Sequence, residues 1–109
     1  MPPVTYTEET LPEAVRIATR GGANALGLGD QIGSLEVGKR GDVIAVDITA
    51  LHTIPATNPW SQIAYAARSS DVRHVAVDGA VVVRDQELLT LEVARVRRAA
   101  VDSATRLFP

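Results

Sequence analysis

The chain has no cysteine among its 109 residues, which removes disulfides, thiol nucleophiles and thiolate metal ligation together. Aromatic side chains are nearly absent: Tyr6, Trp60, Tyr65 and Phe108 are the whole supply. Any core must therefore be aliphatic, built from Val, Ala, Leu and Ile. Positive charge is not in surplus either. Eleven basic and 13 acidic residues leave a net −2, without the electrostatic footprint of a nucleic-acid binder. The densest basic run, Arg95, Arg97 and Arg98, reads as a solvated helix face. No apolar run approaches the ~18 residues of a membrane span, and no secretory leader opens the sequence. The expectation is a soluble cytoplasmic protein whose partners include neither nucleic acid nor membrane.

What is present suits a folded domain. Hydrophobic residues make up 46% and charged residues 22%, a balance that argues against disorder. The length fits one domain with a modest core. Residues 1 to 9 hold Pro2 and Pro3 and read as an extended lead-in. Thr10-Leu11-Pro12-Glu13 matches an S/T-x-x-E capping box, and Leu11, Ala14, Val15 and Ala18 share one helical face. Gly21-Gly22 is expected to break that helix, with a further turn over Ala23 to Leu26 and Gly27 as its C′ residue. Beyond it, Ser34 to Val37 predicts a short strand, Gly38 to Gly41 a turn, and Asp42 to Ile48 a buried strand. Residues 49 to 59 read as loop and Gln62 to Ala67 as a short helix. Val72 to Arg84 is the clearest unit, two Val-rich runs joined by Asp78-Gly79, a two-residue hairpin signal. Leu91 to Leu107 predicts a closing helix with Val93, Val96, Ala100, Ala104 and Leu107 on one face.

Several short motifs invite a function, and their context answers each. Gly33 to Lys39 fits the opening of a phosphate-binding loop, G-x-x-x-x-G-K. Such a loop needs a helix after the lysine and a Ser or Thr beside it. Here Arg40 takes that position and a strand follows. Gly27, Gly29 and Gly33 loosely imitate a dinucleotide fingerprint and fail for the same reason. Arg40-Gly41-Asp42, the adhesion tripeptide, reads as a tight turn. His52 and His74 lie too far apart for a paired metal site, with His52 read as a solvated loop residue and His74 as a residue on a strand face. Ser34 and Ser61 have no His–carboxylate partner in any recognisable motif. Asp42, Asp47, Asp71 and Asp78 occupy strand ends and turns, where carboxylates serve as turn formers.

The order of elements carries more than any single motif. Ala18-Thr19-Arg20-Gly21-Gly22-Ala23-Asn24-Ala25-Leu26-Gly27 is followed by Ile32 to Asp47, in the pattern I-G-S-L-E-x-G-K-x-x-D. Asn58-Pro59-Trp60-Ser61-Gln62-Ile63-Ala64-Tyr65-Ala66-Ala67 comes next, and then Val72 to Gln86. Across residues 10 to 90 this succession resembles the C-terminal segment of the amidohydrolase superfamily. The similarity is greatest to its branch of cytosine, guanine and adenosine-derivative deaminases and triazine chlorohydrolases. Two positions depart from the pattern: Gly41 stands where alanine is usual and Gln86 where glycine is common.

The resemblance implies an α+β chain, a small β-sheet or half β-sandwich of the composite domain with a leading helix and a C-terminal helix. Its parts would be residues 1–30 (lead-in and last barrel-type helix), 31–90 (portion of the composite β-sandwich) and 91–109 (C-terminal helix). The family's zinc or iron ligands and acid–base groups all precede the equivalent of Thr10. No catalytic, cofactor-binding or metal residue can therefore be carried onto this chain, and on its own it is expected to be inactive. A (β/α)₈ barrel alone takes roughly 250 residues, so the chain reads as a C-terminal portion of a hydrolase acting on C–N or C–Cl bonds. The alternative is a stand-alone interaction module that kept the fold. The expected partner is either a second copy, in a homo-oligomer, or the N-terminal catalytic portion.

Overall fold

Apolar residues at positions 14, 15 and 18 predict a helix at the start, and one is found, longer than expected. The structure, a computed structural model, describes residues 10–55 and 57–108, with side chains from Pro12 onward. The expected lead-in at 1 to 9 and the Thr10–Glu13 capping box lie outside what is described. Helix α1 (Thr10–Arg16) runs into a π-helical turn (Ile17–Gly21) and then α2 (Gly22–Ala25). The Gly21-Gly22 pair does not break the helix. Both residues hold right-handed helical dihedrals, because glycine only weakens a helix, by ~1 kcal/mol per residue relative to alanine. Within the widened turn Thr19 Oγ1 donates to the carbonyl of Val15 at 2.8 Å.

The helix ends as its sequence predicts. Gly27 takes φ +73°, its N–H donates to Asn24 O at 3.0 Å, and the N–H of Leu28 donates to Ala23 O at 2.8 Å. That pair of bonds is a Schellman motif with Gly27 at C′. Ala23 is the only buried apolar residue among those described. Gly33 is pressed against it, since a Cβ on Gly33 would lie 2.7 Å from the Ala23 Cβ.

The strand expected at Ser34 to Val37 is absent. That segment forms bends and a turn, coiled around Lys39, and no neighbouring strand offers it a ladder. Strand β1 is Val43–Val46, shorter than the expected Asp42 to Ile48. It pairs antiparallel with β2 (Val72–Val77), which pairs with β3 (Ala80–Arg84), which pairs with β4 (Glu87–Leu88). The result is a four-stranded antiparallel sheet in the order β1-β2-β3-β4. The β2–β3 turn is Asp78-Gly79 with φ of +51° and +81°, as a type I′ hairpin requires. β4 was not expected. It follows a second two-residue turn, Asp85-Gln86, with φ of +46° and +67°.

Between β1 and β2 lie a loop, helix α3 (Pro59–Ser61), a second π-helical turn (Gln62–Ala66) and a 3₁₀ turn (Ser69–Asp71). Asn58 caps α3 by accepting the N–H of Trp60 at 3.0 Å, with Pro59 at the first helical position, the arrangement that a helix start favours. Helix α4 (Val93–Leu107) closes the described chain, and none of its side chains is buried. The whole is an α+β arrangement around a small sheet, and it is open. Its Cα radius of gyration is 17.7 Å, against about 13 Å for a compact chain of this length.

Candidate functional site

The Val-rich runs of β1, β2 and β3 place apolar side chains on both faces of the sheet. An antiparallel sheet with one wet face alternates apolar and polar residues. Here Val81, Val82 and Val83 are consecutive, and register sets Ile44 opposite Val75 and Val75 opposite Val83. These residues call for cover that the described residues do not supply. Ile44 is 57% exposed and Val77 49%. The strand expected to be buried is therefore largely bare, because burial depends on atoms from outside the strand and its neighbours.

Two adjoining clefts follow this surface. One, of about 450 Å³, lies between the Gly33–Leu35 bend and the strand segments 42–44 and 75–77. The other, of about 720 Å³, lies between Ala14, Val15 and Ala18 of the leading helix and Ile44, Val46 and Ile48. Thr19 and Ile44 line both, so they form one continuous apolar face.

Polar side chains do a different job: they fix the loops around that face. Lys39 Nζ donates to Gly29 O at 2.9 Å and to Ser34 Oγ at 2.8 Å, and lies 3.0 Å from Glu36 Oε2. Ser34 Oγ donates to the same carboxylate. The hydrogen bond from Ser34, then that from Lys39, holds the Glu36 carboxyl below its usual range. The lysine that a phosphate loop would point at a nucleotide is thus spent inside its own loop. Asp42, in the adhesion-like tripeptide, accepts the N–H of Asp78 at 2.7 Å, and Gly79 N–H donates to Gly41 O at 3.0 Å. The Arg40-Gly41-Asp42 turn is clipped to the hairpin turn. The clip explains Gly41, since a Cβ there would lie 3.0 Å from the Gly79 backbone.

His52 differs from its expected solvated state. Its Nε2 lies 2.6 Å from Asp71 Oδ2, and Asp71 is 7% exposed. The same oxygen accepts the N–H of Arg68 at 2.7 Å. These two interactions, the Arg68 bond foremost, hold the Asp71 carboxyl below its usual range. Nothing in the loop composition signals this contact, which spans 19 residues of sequence. Thr53 and Gln62, the other buried polar side chains among the described residues, donate to Ala50 O at 2.8 Å and Pro55 O at 2.9 Å. All three buried polar groups therefore fasten the loop between β1 and α3.

Of the remaining candidates, the aspartates at strand ends are turn formers, as their positions imply. Asp47 Oδ1 accepts from the N–H of Thr49 at 2.8 Å and from its Oγ1 at 2.6 Å, bonds that lower its carboxyl. Arg73 spans Asp47 at 3.4 Å and Asp85 at 3.2 Å. His74 sits on the exposed strand, its Nδ1 accepting the N–H of Asp85 at 3.2 Å. Arg95, Arg97 and Arg98 lie on exposed α4. Among the described residues no three His, Cys, Asp or Glu side chains gather as a metal site would need. The described residues thus do not assemble the three protein ligands that a catalytic divalent metal takes.

Comparison with known proteins gives the chain a family. A family model described as "Amidohydrolase family" matches residues 5–82. The chain belongs to the amidohydrolase family. Its curated relatives include the 5-methylthioadenosine/S-adenosylhomocysteine deaminase of Syntrophobacter fumaroxidans, 48% identical over 94 residues, or 86% of this chain and 21% of that protein. The S-triazine hydrolase of Gordonia rubripertincta is 38% identical over 96 residues, 88% of this chain and 20% of that one. Among solved structures, a zinc-bound adenosine deaminase from Xanthomonas campestris superposes with a TM-score of 0.85 at 40% identity, over 88% of this chain and 22% of that chain. A triazine hydrolase variant superposes at 0.74 and 27% identity, over 91% and 21%. The chain thus spans about a fifth of the length of the relatives it matches.

Proposed function

We propose that this chain is the non-catalytic C-terminal portion of a metal-dependent amidohydrolase that hydrolyses C–N or C–Cl bonds, as in the deaminases and triazine hydrolases it resembles. The observation that carries the reading is the uncovered face shared by Thr19 and Ile44, on a chain that spans a fifth of its relatives' length. In this reading the four-stranded sheet is half of a composite β-sandwich. The metal ligands and acid–base groups belong to a catalytic portion that supplies the cover. The role of this chain is to complete and stabilise that portion. It contributes no group to the chemistry.

A chimera tests it. This chain replaces the matched segment of the Xanthomonas campestris adenosine deaminase, and zinc content and adenosine deamination are measured beside the chain alone. The chimera is expected to retain zinc and turnover, and the chain alone to have neither. Stoichiometric zinc in the isolated chain, with turnover that His52→Ala abolishes, would overturn the reading. So would light scattering that finds a second copy closing the apolar face in a stable homo-oligomer.

A further inference from the structure

The two central amides of a two-residue hairpin turn find no partner in their own ladder, which Val77 and Ala80 close here. In this chain both are taken from outside. Asp78 N–H donates to Asp42 Oδ1 at 2.7 Å, and Gly79 N–H donates to Gly41 O at 3.0 Å. The turn is exposed to solvent, and Asp78-Gly79 is the one Asp-Gly or Asn-Gly pair in the sequence. Such a pair carries its own chemistry. The glycine nitrogen, with no side chain beside it to hinder approach, attacks Cγ of the preceding protonated carboxyl group. An N–Cγ bond forms, the amide proton is lost and one carboxyl oxygen leaves as water, closing a five-membered succinimide. Water then adds to either ring carbonyl. Opening at Cγ restores aspartate, whereas opening at the backbone carbonyl leaves an isoaspartyl residue, with the chain running through Cβ. Water is the only reactant that enters.

We infer that Asp78 is a latent isoaspartyl modification site and that the Arg40-Gly41-Asp42 turn is its guard. The nitrogen that must attack is the one whose N–H is bound to Gly41 O. While that bond holds, the nitrogen keeps its proton and cannot swing onto Asp78 Cγ. Ring closure also rotates the Asp78 Cα–C bond out of the left-handed conformation that a type I′ turn imposes, with φ of +51° at Asp78 and +81° at Gly79. Asp42 opposes that rotation by holding the Asp78 N–H. Gly41 permits the close approach, because an added Cβ would lie 3.0 Å from the Gly79 nitrogen. The modification reinforces itself. An isoaspartyl residue adds a backbone carbon to a two-residue turn, so the two N–H groups no longer meet their acceptors and the clip cannot re-form. The adhesion-like tripeptide thereby has a task of its own, the chemical preservation of the hairpin tip. This inference rests on the two turns alone and holds whether or not the chain serves a catalytic portion.

The test holds the full chain at neutral pH and physiological temperature beside a synthetic peptide of residues 74–84. Cleavage after Arg73 and Arg84 releases the same segment from the chain, with Asp78 its sole acidic residue. Chromatography separates its aspartyl and isoaspartyl forms, which are equal in mass. The folded chain should form isoaspartate more slowly than the peptide by on the order of tenfold or more, because the reaction waits for local opening. Asp42→Ala, which removes the acceptor of the Asp78 N–H, should speed the reaction severalfold. Asp42→Asn, which keeps a side-chain oxygen, should stay near the unmodified rate. Gly33→Ala loosens the fold away from the clip and should leave the rate nearly unchanged. If Asp42→Ala does not fold, the unmodified chain decides alone: in denaturant below its unfolding transition, the isoaspartyl rate should rise in step with amide exchange at Gly79. Isomerisation of the folded chain at the peptide's rate, no acceleration in a folded Asp42→Ala variant, equal acceleration by Asp42→Ala and Gly33→Ala, or a rate independent of Gly79 exchange would overturn the inference.

Discussion

Asp71 shows how one side chain holds together segments that are distant in sequence. Its carboxylate receives Arg68 N–H and His52, and its carbonyl receives the N–H of Asp47 at 2.8 Å. Because its folded-state pKa lies below the ordinary 3.8, the carboxylate stabilises the fold in full at neutral pH. That stabilisation starts to fall once the pH drops below about 4, and it is lost as pH falls through the folded-state value. Asp71→Asn should therefore lower stability at pH 7 and flatten the dependence of stability on pH below 4. Urea unfolding at pH 7, 4 and 3 measures both, and equal slopes for the two proteins would remove Asp71 from the acid response. The sequence placed Asp71 in a turn because local hydrogen bonds of Asp follow from neighbours in the chain. It did not reveal His52 as the partner, since no periodicity links positions 52 and 71.

Whole elements were legible wherever their determinants are local. The hairpin could be read because Asp-Gly provides both positive φ angles of a type I′ turn, and Gly27 because a helix end favours glycine at C′. The β3–β4 turn is not legible in the sequence, because Asp85-Gln86 adopts the same φ signs without glycine or asparagine. The glycine pair in the leading helix reads as a stop, yet glycine costs a helix only ~1 kcal/mol per residue relative to alanine and both residues keep right-handed helical dihedrals. This gives a paired expectation. At Gly22, in right-handed helix with nothing within 4 Å of an added Cβ, Gly22→Ala should stabilise by ~0.5–1 kcal/mol. At Gly33, with φ +95° and the Ala23 Cβ only 2.7 Å from an added one, Gly33→Ala should destabilise by ~1 kcal/mol or more. Thermal or urea midpoints of the two variants should move in opposite directions, and movement together would refute the account of both sites.

Across the whole molecule, sequence pattern identified which residues want burial but not what buries them. Ile44, Val77 and Val81 have strand character, and all three are exposed, because their cover is not in the described residues. The accessible surface is 8669 Å², whereas a folded monomer of this mass exposes about 5,800 Å². Unfolding therefore exposes less new surface than it does for a compact chain. The urea m-value, which scales with that change, should be about a quarter lower than for a compact domain of equal length. A full-sized m-value would mean that the isolated chain closes its own apolar face. In the chimera with the deaminase, the same segment should unfold together with the rest of the enzyme.

The Lys39 staple carries a consequence for chemical labelling. Lys39 is the sole lysine of the sequence; its side chain is only 15% exposed, and its ammonium is held by Gly29, Ser34 and Glu36. An amine held by three acceptors and largely covered by its own loop is hard for an activated ester to reach. Acylation of this side chain should wait for the 29–39 loop to open, so that its rate reports local opening. Peptide mapping after timed exposure to an acylating reagent should find Lys39 modified slowly in buffer and at the rate of a free lysine in denaturant. Ser34→Ala, which removes one of the three acceptors, should speed labelling in buffer and leave the denatured rate unchanged. The residue that most invited a nucleotide-binding reading thus becomes a built-in reporter of the loop's own opening.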